Sequence, residues 1–516
     1  MSTESAHTPA ERIAAGYAVG GQALRLGTVV VEGQVDPQAQ IGIPLATINR
    51  HGLVAGATGT GKTKTLQLIT EQLSAAGVPV LMADVKGDLS GLSRPGESND
   101  KTAARVRDTG DDWEPSGFPV EFLSLGTEGI GVPVRATVAG FGPILLSKVL
   151  GLNATQESTL GLIFHWADGA NRRLVTLNDL RAAIGYLTSD QGKADLKSLG
   201  GVSSTTAGVI LRALVNLEGE GGDTFFGEPK LDPQDLLRLD DQGRGIVTLL
   251  EFTGQTLRPV IFSTFLMWLL AELFVQLPEV GDLDKPKLVF FFDEAHLLFT
   301  DASKAFLEQV EQTVKLIRSK GVGVFFCTQL PTDVPNDVLS QLGARVQHAL
   351  RAFTPDDQKA LSKTVRTYPK TDVYDLESAL TSLGIGEAVV TVLSEKGAPT
   401  PVAWTRMRVP RSLMAAIGKD AVAEAAKNSP LQAKYGQTVQ QAPEIDAAAP
   451  GPGQLETELP PLPASYDLPP MPEPAEPQGP SWVEKALKNP TVKSAINTGV
   501  REAVRNILGS GRRRRR

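Results

Sequence analysis

The chain has 516 residues, of which 41% are hydrophobic and 21% are charged, and its net charge is −7. This composition is close to that of soluble globular proteins, so the chain can bury a sizeable core, and its acidic balance excludes a general polyanion binder. Its single cysteine, Cys327, excludes an intrachain disulfide and predicts a cytoplasmic protein.

The N-terminal part of the chain alternates between β-like and helical patterns. Residues 1–45 are predicted to form a short β-like segment without signal peptide or anchor, and residues 46–142 the first part of an α/β core. The first predicted core elements are strands at Leu53–Gly56, Val78–Asp84 and Val120–Leu125 and a helix at Lys62–Ala76.

The middle of the chain changes to helical spacing. Residues 143–240 lack strand patterns and are predicted to form a helical insertion, which is a candidate lid or substrate-contacting element. Val260–Leu277 is apolar enough to resemble a short membrane span. We interpret it as a buried helix, because Glu272 lies inside it and it precedes a core strand.

The second part of the core is predicted for residues 241–410. Its expected elements are strands at Gly245–Leu250, Lys287–Asp293, Val322–Thr328, Val346–Ala349, Glu387–Leu393 and Pro401–Arg406, and an amphipathic helix at Phe306–Lys320. The alternation of strands and helices predicts a mainly parallel sheet covered on both faces.

The C-terminal region has a different composition. Residues 411–480 are predicted to form a helix and then a disordered Pro-rich linker. Residues 481–516 carry ten Lys or Arg against two Glu and are predicted to form a basic amphipathic helix that ends in an arginine tail. This tail could bind nucleic acid phosphates, acidic lipid or an acidic protein surface. The alternative is a solvated tail without a partner.

A phosphate-binding loop is predicted between the first core strand and its helix. Residues 56–63 match the pattern G-x-x-x-x-G-K-[ST] in full. Its glycines allow backbone N–H groups to converge on phosphates, a lysine adds charge near the β- and γ-phosphates, and a threonine hydroxyl can bind Mg²⁺. The alternative is a chance glycine turn. The predicted nucleotide ligands are Gly56, Ala57, Thr58, Gly59, Thr60, Gly61, Lys62, Thr63 and Lys64.

Two acids end the strongly apolar strand that begins at Leu288. Asp293 is the predicted metal residue, in indirect contact with Mg²⁺ through water, and Glu294 is the predicted residue that activates water. The alternative is an acidic strand cap. His296 completes the sequence Asp-Glu-Ala-His, which is weak evidence for a helicase and is equally consistent with a structural histidine at a helix start.

Other strand ends carry weaker signals. Gln329 follows a predicted strand, where an amide can sense the γ-phosphate or position water, although a turn residue before Pro331 explains it equally simply. Asp84 and Asp88 end the second core strand and are either functional or part of a capped turn. Cys327 is interpreted as a small buried hydrophobic residue.

These elements together resemble the HerA–FtsK branch of P-loop ATPases, and most closely the YjgR-type HerA-like bacterial proteins. The resemblance covers roughly residues 20–410. The stretches that carry it are Asn49–Gly52 with the phosphate loop, Ala83–Leu89, Lys287–Phe299, Ile317–Gly323, Thr328–Gln329 and Arg345–Arg351.

The resemblance implies a RecA-like ATPase that binds Mg-ATP and assembles into a hexameric ring with nucleotide between subunits. It also implies that Arg50 acts in trans, on the nucleotide of the neighbouring subunit, and that Arg318 is a second arginine near the nucleotide. Arg345 and Arg351 are further candidates. HerA has an N-terminal barrel that docks a nuclease, and the 55 residues before the phosphate loop are too few for it, so the resemblance does not extend to a nuclease partner.

The expected function is ATP hydrolysis that drives movement along DNA. One alternative is an ATPase that remodels or translocates protein. Another is an ATP-controlled scaffold that recruits an unknown protein partner through the Pro-rich linker or the basic tail. We expect no integral membrane insertion.

Overall fold

The computed structural model describes most of the predicted core. All of the described residues fall within the first of the chain's two units, Met1–Ala449. The predicted linker beyond residue 437 and the basic tail therefore lie outside the described residues. The described residues are 8–84, 87–127, 129–195, 200–251, 259–281, 283–300, 302 and 304–437.

Twelve strands of the described residues form one sheet, in the order β2-β1-β12-β11-β10-β3-β9-β8-β4-β7-β5-β6. The strands are β1 (Ala23–Val31), β2 (Gln34–Pro44), β3 (Gly52–Ala55), β4 (Val80–Asp84), β5 (Val120–Leu125), β6 (Val132–Val134), β7 (Val247–Glu251), β8 (Leu288–Phe292), β9 (Val322–Thr328), β10 (Ala344–Gln347), β11 (Glu387–Thr391) and β12 (Ala403–Met407).

Helices pack against both faces of this sheet. They are α1 (Pro9–Ala15), α2 (Lys62–Ala75), α3 (Asp100–Thr109), α4 (Val138–Leu150), α5 (Ala154–Gly169), α6 (Leu177–Thr188), α7 (Ser204–Gly219), α8 (Gly222–Phe225), α9 (Pro259–Gln276), α10 (His296–Phe299), α11 (Lys304–Ile317), α12 (Asn336–Leu339), α13 (Pro355–Val365), α14 (Leu376–Ser382), α15 (Lys419–Lys427) and α16 (Gln432–Tyr435).

The parallel part of the sheet runs from β10 to β6 and is buried on both faces. In β8, Phe290 and Phe292 belong to one core and Val289 and Phe291 to the other, because successive side chains of a strand point to opposite faces. This double burial explains the nearly continuous apolar runs in the sequence. The prediction of an α/β fold with a mainly parallel sheet is confirmed, and the predicted core strands lie within two residues of the observed ones.

An antiparallel extension was not predicted from the sequence. β1, β2, β11 and β12 extend the sheet beyond β10, so the first 45 residues contribute two strands to the same sheet as the phosphate loop. Gly27 permits this pairing, because a Cβ there would lie 2.0 Å from the Arg406 carbonyl oxygen. The pairing between β1 and β12 joins residues far apart in sequence, which local patterns do not reveal.

Five helices, α4 to α8, fall in or next to the predicted helical insertion. The first begins at Val138, before the predicted boundary at 143, and is interrupted at Gly142, where φ is 75° before Pro143. Among the described residues, no strand lies within 143–240. The role of this region as a lid stays a prediction.

The apolar segment that resembles a membrane span is the buried helix α9. Trp268 is fully buried, and its ring packs against Phe141 of α4 and Phe265 of α9 itself. No helix in the described part of the chain is long and apolar enough to cross a membrane. The interpretation of this segment as a buried helix is therefore confirmed.

The chain after β12 returns along α2, and we call residues 408–417 the strap. Glu71 of α2 accepts hydrogen bonds from the backbone N–H groups of Arg411 and Ser412, at 2.8 and 3.2 Å. Gln67 donates to the Leu413 carbonyl oxygen at 2.9 Å. Burial raises the pKa of Glu71 to about 7, and the hydrogen bonds from the strap oppose that rise. The strap therefore fixes the helix that follows the phosphate loop.

Candidate nucleotide site

The predicted functional groups lie along one edge of the sheet, where the parallel strands end. The phosphate loop follows β3, Gln329 follows β9, and Asp293 follows β8. Asp84 ends β4, and Glu251 is its register partner on β7. Ligands of open α/β sheets bind at this edge, so the strand order brings residues that are distant in sequence to one site.

The backbone of the phosphate loop requires its glycines. Gly56, Gly59 and Gly61 have φ values of 151°, 81° and 120°, which residues with a side chain rarely adopt. A Cβ on Gly56 would lie 2.5 Å from the His348 Cβ, whereas a Cβ on Gly59 would meet nothing within 4 Å. The tip of the loop is thus open and its base is tightly packed. The loop leaves room for phosphates that approach its N–H groups.

The Lys62 side chain folds back onto the backbone of the phosphate loop. Its Nζ donates hydrogen bonds to the carbonyl oxygens of Gly56 at 2.5 Å and Ala57 at 3.2 Å. These carbonyls stand in for phosphate oxygens, so the ammonium group already lies over the loop. Thr63 is the second residue of α2 and is partly exposed. The loop, the lysine and the threonine fit Mg-ATP.

His348 fixes the base of the loop, and the sequence did not indicate this role. Its Nδ1 contacts the Glu387 carbonyl oxygen at 2.8 Å and its Nε2 contacts the Thr65 hydroxyl at 2.9 Å. Burial lowers the pKa of His348 to about 4, with a smaller contribution from the Lys62 charge, so the ring is neutral at pH 7. A neutral ring that donates from Nδ1 and accepts at Nε2 satisfies both contacts. The only sequence signal was a histidine next to a strand end.

Glu294 has an unusual backbone conformation. Its φ is 48°, which is uncommon for a residue other than glycine, and such values cluster at functional sites. Its backbone N–H donates to the Asp293 carboxylate at 2.9 Å. The His296 Nδ1 lies 3.5 Å from the Glu294 carboxylate, so this histidine at the start of α10 also faces the residue that is predicted to activate water.

Gln329 and Cys327 differ in exposure. Gln329 is exposed at the end of β9, the strand between the phosphate-loop strand and the strand of the two acids. That position suits the predicted role as a sensor, which stays a prediction.

Cys327 is buried, as interpreted, and burial raises the pKa of its thiol well above the ordinary value.

Asp84 and Glu251 form a buried carboxyl pair beside Asp293, and Glu251 was not recognised in the sequence. Asp84 accepts hydrogen bonds from the N–H groups of Gly87 and Leu89, which matches the capped turn that was one of its two interpretations. Burial raises the pKa of Asp84 to about 6. Burial, and then the Asp84 charge, raise the pKa of Glu251 to about 7. Glu251 Oε2 has no hydrogen-bond partner among the described residues. Asp88 is exposed.

Arg50 and Arg318 lie at the opposite edge of the sheet from the phosphate loop. Arg50 lies two residues before β3 and Arg318 four residues before β9, whereas the loop follows β3. The chain from residue 50 to residue 56 spans about 20 Å when extended. His51 follows Arg50 in the chain and is buried, and its pKa is lowered to about 4 mainly by burial and also by the Arg318 charge. Neither arginine is near the phosphate loop of its own subunit.

Arg345 and Arg351 have different surroundings. Arg345 donates to the carbonyl oxygens of Thr367 at 2.7 Å and Leu339 at 3.4 Å, contacts that indicate a structural residue. Arg351 is exposed and donates to the Thr58 carbonyl oxygen at 3.3 Å. Arg351 therefore lies beside the phosphate loop of its own subunit.

Comparison with known protein families finds a match over most of the chain. The family model described as Helicase HerA-like C-terminal matches residues 30–516. No curated protein was found to match the chain.

Several solved structures have a similar fold. The bacterial conjugative coupling protein TrwBdeltaN70, in its unbound form, aligns with a TM-score of 0.52 and 14% identity over 79% of this chain and 94% of its own. The plasmid coupling protein TrwB in complex with ADP and Mg²⁺ aligns with a TM-score of 0.51 and 15% identity over 78% and 97%. VirB4 of Thermoanaerobacter pseudethanolicus has a TM-score of 0.47 and 13% identity over 76% and 98%. At these identities the likeness concerns the fold.

The contacts of His348 predict that it supports the phosphate loop without binding the nucleotide. We expect His348→Ala to leave the Thr65 hydroxyl and the Glu387 carbonyl unpaired and to reduce the free energy of unfolding by about 1–3 kcal/mol. We also expect weaker binding of Mg-ADP, measured by calorimetry. His348→Gln can restore one hydrogen bond and should recover part of both losses. Affinity in His348→Ala equal to wild type would contradict this role.

The buried Glu251 predicts a pH-dependent stability. The pKa of Glu251 is raised in the folded protein above its unfolded value of 4.5. Its contribution to the free energy of unfolding is therefore complete below pH 4.5 and is lost as the pH rises towards 7. The variant Glu251→Gln should not show this loss. The difference between its unfolding midpoint and that of the wild type should therefore increase in favour of the variant between pH 5 and 7. The lowered pKa values of His51 and His348 have the opposite effect in both proteins and cancel in the difference, which reports Glu251 together with its coupling to Asp84. A constant difference across this range would refute the assignment.

Proposed function

Because the chain belongs to the helicase HerA-like C-terminal family, we propose that it is an ATPase motor that assembles into a ring and moves DNA. The observation that carries this proposal is the convergence of a complete phosphate loop with Asp293 and Glu294 at one edge of the sheet. A solved relative with the same fold, TrwB, is described as bound to ADP and Mg²⁺. Mg-ATP is accordingly the nucleotide proposed for this chain.

The binding step uses the loop and the start of α2. The loop N–H groups and the positive end of the helix surround the phosphates, and Lys62 moves from the loop carbonyls to the β- and γ-phosphate oxygens. Thr63 and Asp293 are the residues that would hold Mg²⁺, directly or through water. The ion would neutralise charge on the β- and γ-phosphates.

The hydrolysis step is assigned to Glu294. Its carboxylate would orient a water molecule and take its proton as the oxygen attacks the γ-phosphorus, and the bond to the β-phosphate oxygen breaks. The left-handed backbone at Glu294 fixes the direction of this side chain. Gln329 on β9 is proposed to hold the same water or to sense the γ-phosphate.

A ring arrangement gives Arg50 and Arg318 a function that a single subunit does not. Both lie at the edge opposite their own phosphate loop, which supports a role at the nucleotide of a neighbour. A guanidinium group supplied in this way stabilises the charge that develops on the transferring phosphoryl group. We propose that assembly completes the active site.

The ATPase rate of the purified protein, with and without double-stranded DNA, tests the motor. We expect Mg-dependent hydrolysis that rises at least several-fold with DNA at low salt and less at moderate salt, because phosphate contacts are screened. Glu294→Gln should bind Mg-ATP but lose at least about 100-fold in turnover, since general-base catalysis contributes 10²–10⁴-fold. Lys62→Ala should lose binding or turnover.

The controls separate the parts of this proposal. Normal turnover in Glu294→Gln would remove that residue from catalysis. An ATPase rate unaffected by DNA would refute a DNA motor while leaving the ATPase intact, and would favour protein translocation or a scaffold acting through its partners.

Mixing subunits tests the action of Arg50 in trans. Arg50→Ala has a defective arginine and Lys62→Ala has a defective loop, so a mixed ring contains some interfaces with both groups intact. We expect partial recovery of ATPase activity in the mixture, although each variant alone is inactive. Arg212→Ala, an exposed arginine on α7, is the control that should stay active by itself. No recovery, in rings shown by light scattering to be mixed, would contradict action in trans.

A further inference from the structure

Two exposed apolar side chains lie beside the first turn of α2, where the phosphate loop ends. Ile385 is 76% exposed and Met414 is 38% exposed, and they are among the few large hydrophobic residues of the described chain with such exposure. No step in binding phosphate or hydrolysing ATP uses either side chain.

Ile385 is connected to the loop through the next residue. The Gly386 N–H donates to the Thr60 carbonyl oxygen at 3.0 Å, and the Gly386 Cα lies 3.2 Å from the position that a Cβ on Gly61 would take. Because consecutive Cα atoms are about 3.8 Å apart, the Ile385 backbone lies within roughly 7 Å of Gly61. Ile385 thus borders the site where phosphates are expected, and its side chain is exposed.

Arg105 of α3 holds this turn in place. Its guanidinium donates to the carbonyl oxygens of Gly386 at 2.8 Å and Ile385 at 3.0 Å. The Gly384 N–H donates to the Glu387 carboxylate at 3.0 Å, which closes the turn from its other side. An apolar side chain on a turn fixed in this way is preorganised, so it loses little conformational freedom when a ligand covers it.

Met414 is placed by the strap. Lys64 of α2 donates from Nζ to the Met414 carbonyl oxygen at 2.8 Å, and Gln67 one turn further along donates to Leu413. The methionine is therefore fixed next to the third residue of α2. Methionine adapts its shape to flat ligands because its side chain is unbranched and polarizable.

We propose that Ile385 and Met414 form an apolar shelf for the purine base of the bound nucleotide. The proposal rests on the proposed nucleotide site, since the phosphates fix where the base can lie. The base is attached through one ribose to phosphates held at the start of α2, and the backbone contacts of both residues place them beside that start. The flat face of a base is apolar and gains from covering exposed aliphatic surface. This continuity with the phosphate loop favours the base over a neighbouring subunit as the occupant.

Comparing ADP with pyrophosphate, a ligand that lacks ribose and base, tests the shelf. We expect the double variant Ile385→Ser/Met414→Ser to raise the Kd for Mg-ADP about tenfold, because the lost apolar contact is of that order. The Kd for Mg-pyrophosphate should stay unchanged. Val275→Ser is the matched control: Val275 is 77% exposed on α9, and its variant should bind both ligands normally.

Each other outcome has a defined meaning. An equal loss for ADP and pyrophosphate would show that the two residues shape the phosphate loop, and an unchanged Kd for ADP with altered assembly by light scattering would assign them to a subunit interface. Either result overturns the shelf. Wild-type protein that binds pyrophosphate and ADP with equal affinity would also overturn it, without affecting the phosphate site. Wild-type protein that binds neither ligand would instead refute the nucleotide site itself.

Discussion

The order of the parallel strands is the constraint on which the site depends. Strands β10, β3, β9, β8, β4 and β7 are buried on both faces, so polar side chains are accommodated mainly where the strands end. Their carboxyl ends share one edge of the sheet. The phosphate loop, Gln329, the two acids after β8 and the carboxyl pair of Asp84 and Glu251 consequently form one row, although they are dispersed over nearly 300 residues of sequence.

Burial at that edge determines the charge of its groups. The pKa of His348 is lowered to about 4, and the pKa values of Asp84 and Glu251 are raised to about 6 and 7, with burial as the first cause for each. Burial disfavours the charged form of an acid and of a base alike. Full ionisation of two adjacent acids would repel the phosphates of a nucleotide. With a pKa of about 7, Glu251 is partly protonated at neutral pH, which reduces that repulsion. The neutral histidine supports the loop without competing with Lys62 for phosphate oxygens.

The sequence predicted those parts of the fold and site that depend on local patterns. The phosphate loop, the buried strands and the acids after β8 each have a signature within about ten residues, and the family assignment follows from their combination. The subgroup of YjgR-type proteins stays a prediction. The antiparallel extension, the role of His348 and the pairing of Glu251 with Asp84 depend on contacts between distant segments. A neutral buried histidine and a surface histidine look identical in a sequence, as do a strand-end glutamate in a site and one in solvent.

The two edges of the sheet have complementary chemistry, and this bears on how a ring of such subunits would work. One edge holds the phosphate loop and the acids, and Arg351 contacts the loop backbone there. The other edge presents Arg50 and Arg318 around the buried His51. His51 accepts a hydrogen bond from the Val324 N–H of β9, the strand that ends in Gln329. β9 therefore spans the sheet from the edge that holds the arginines to the edge where Gln329, the proposed sensor, follows it. In the proposed ring, one strand would thus lie between the arginines assigned to a neighbour's nucleotide and the residue assigned to sense the nucleotide of its own subunit.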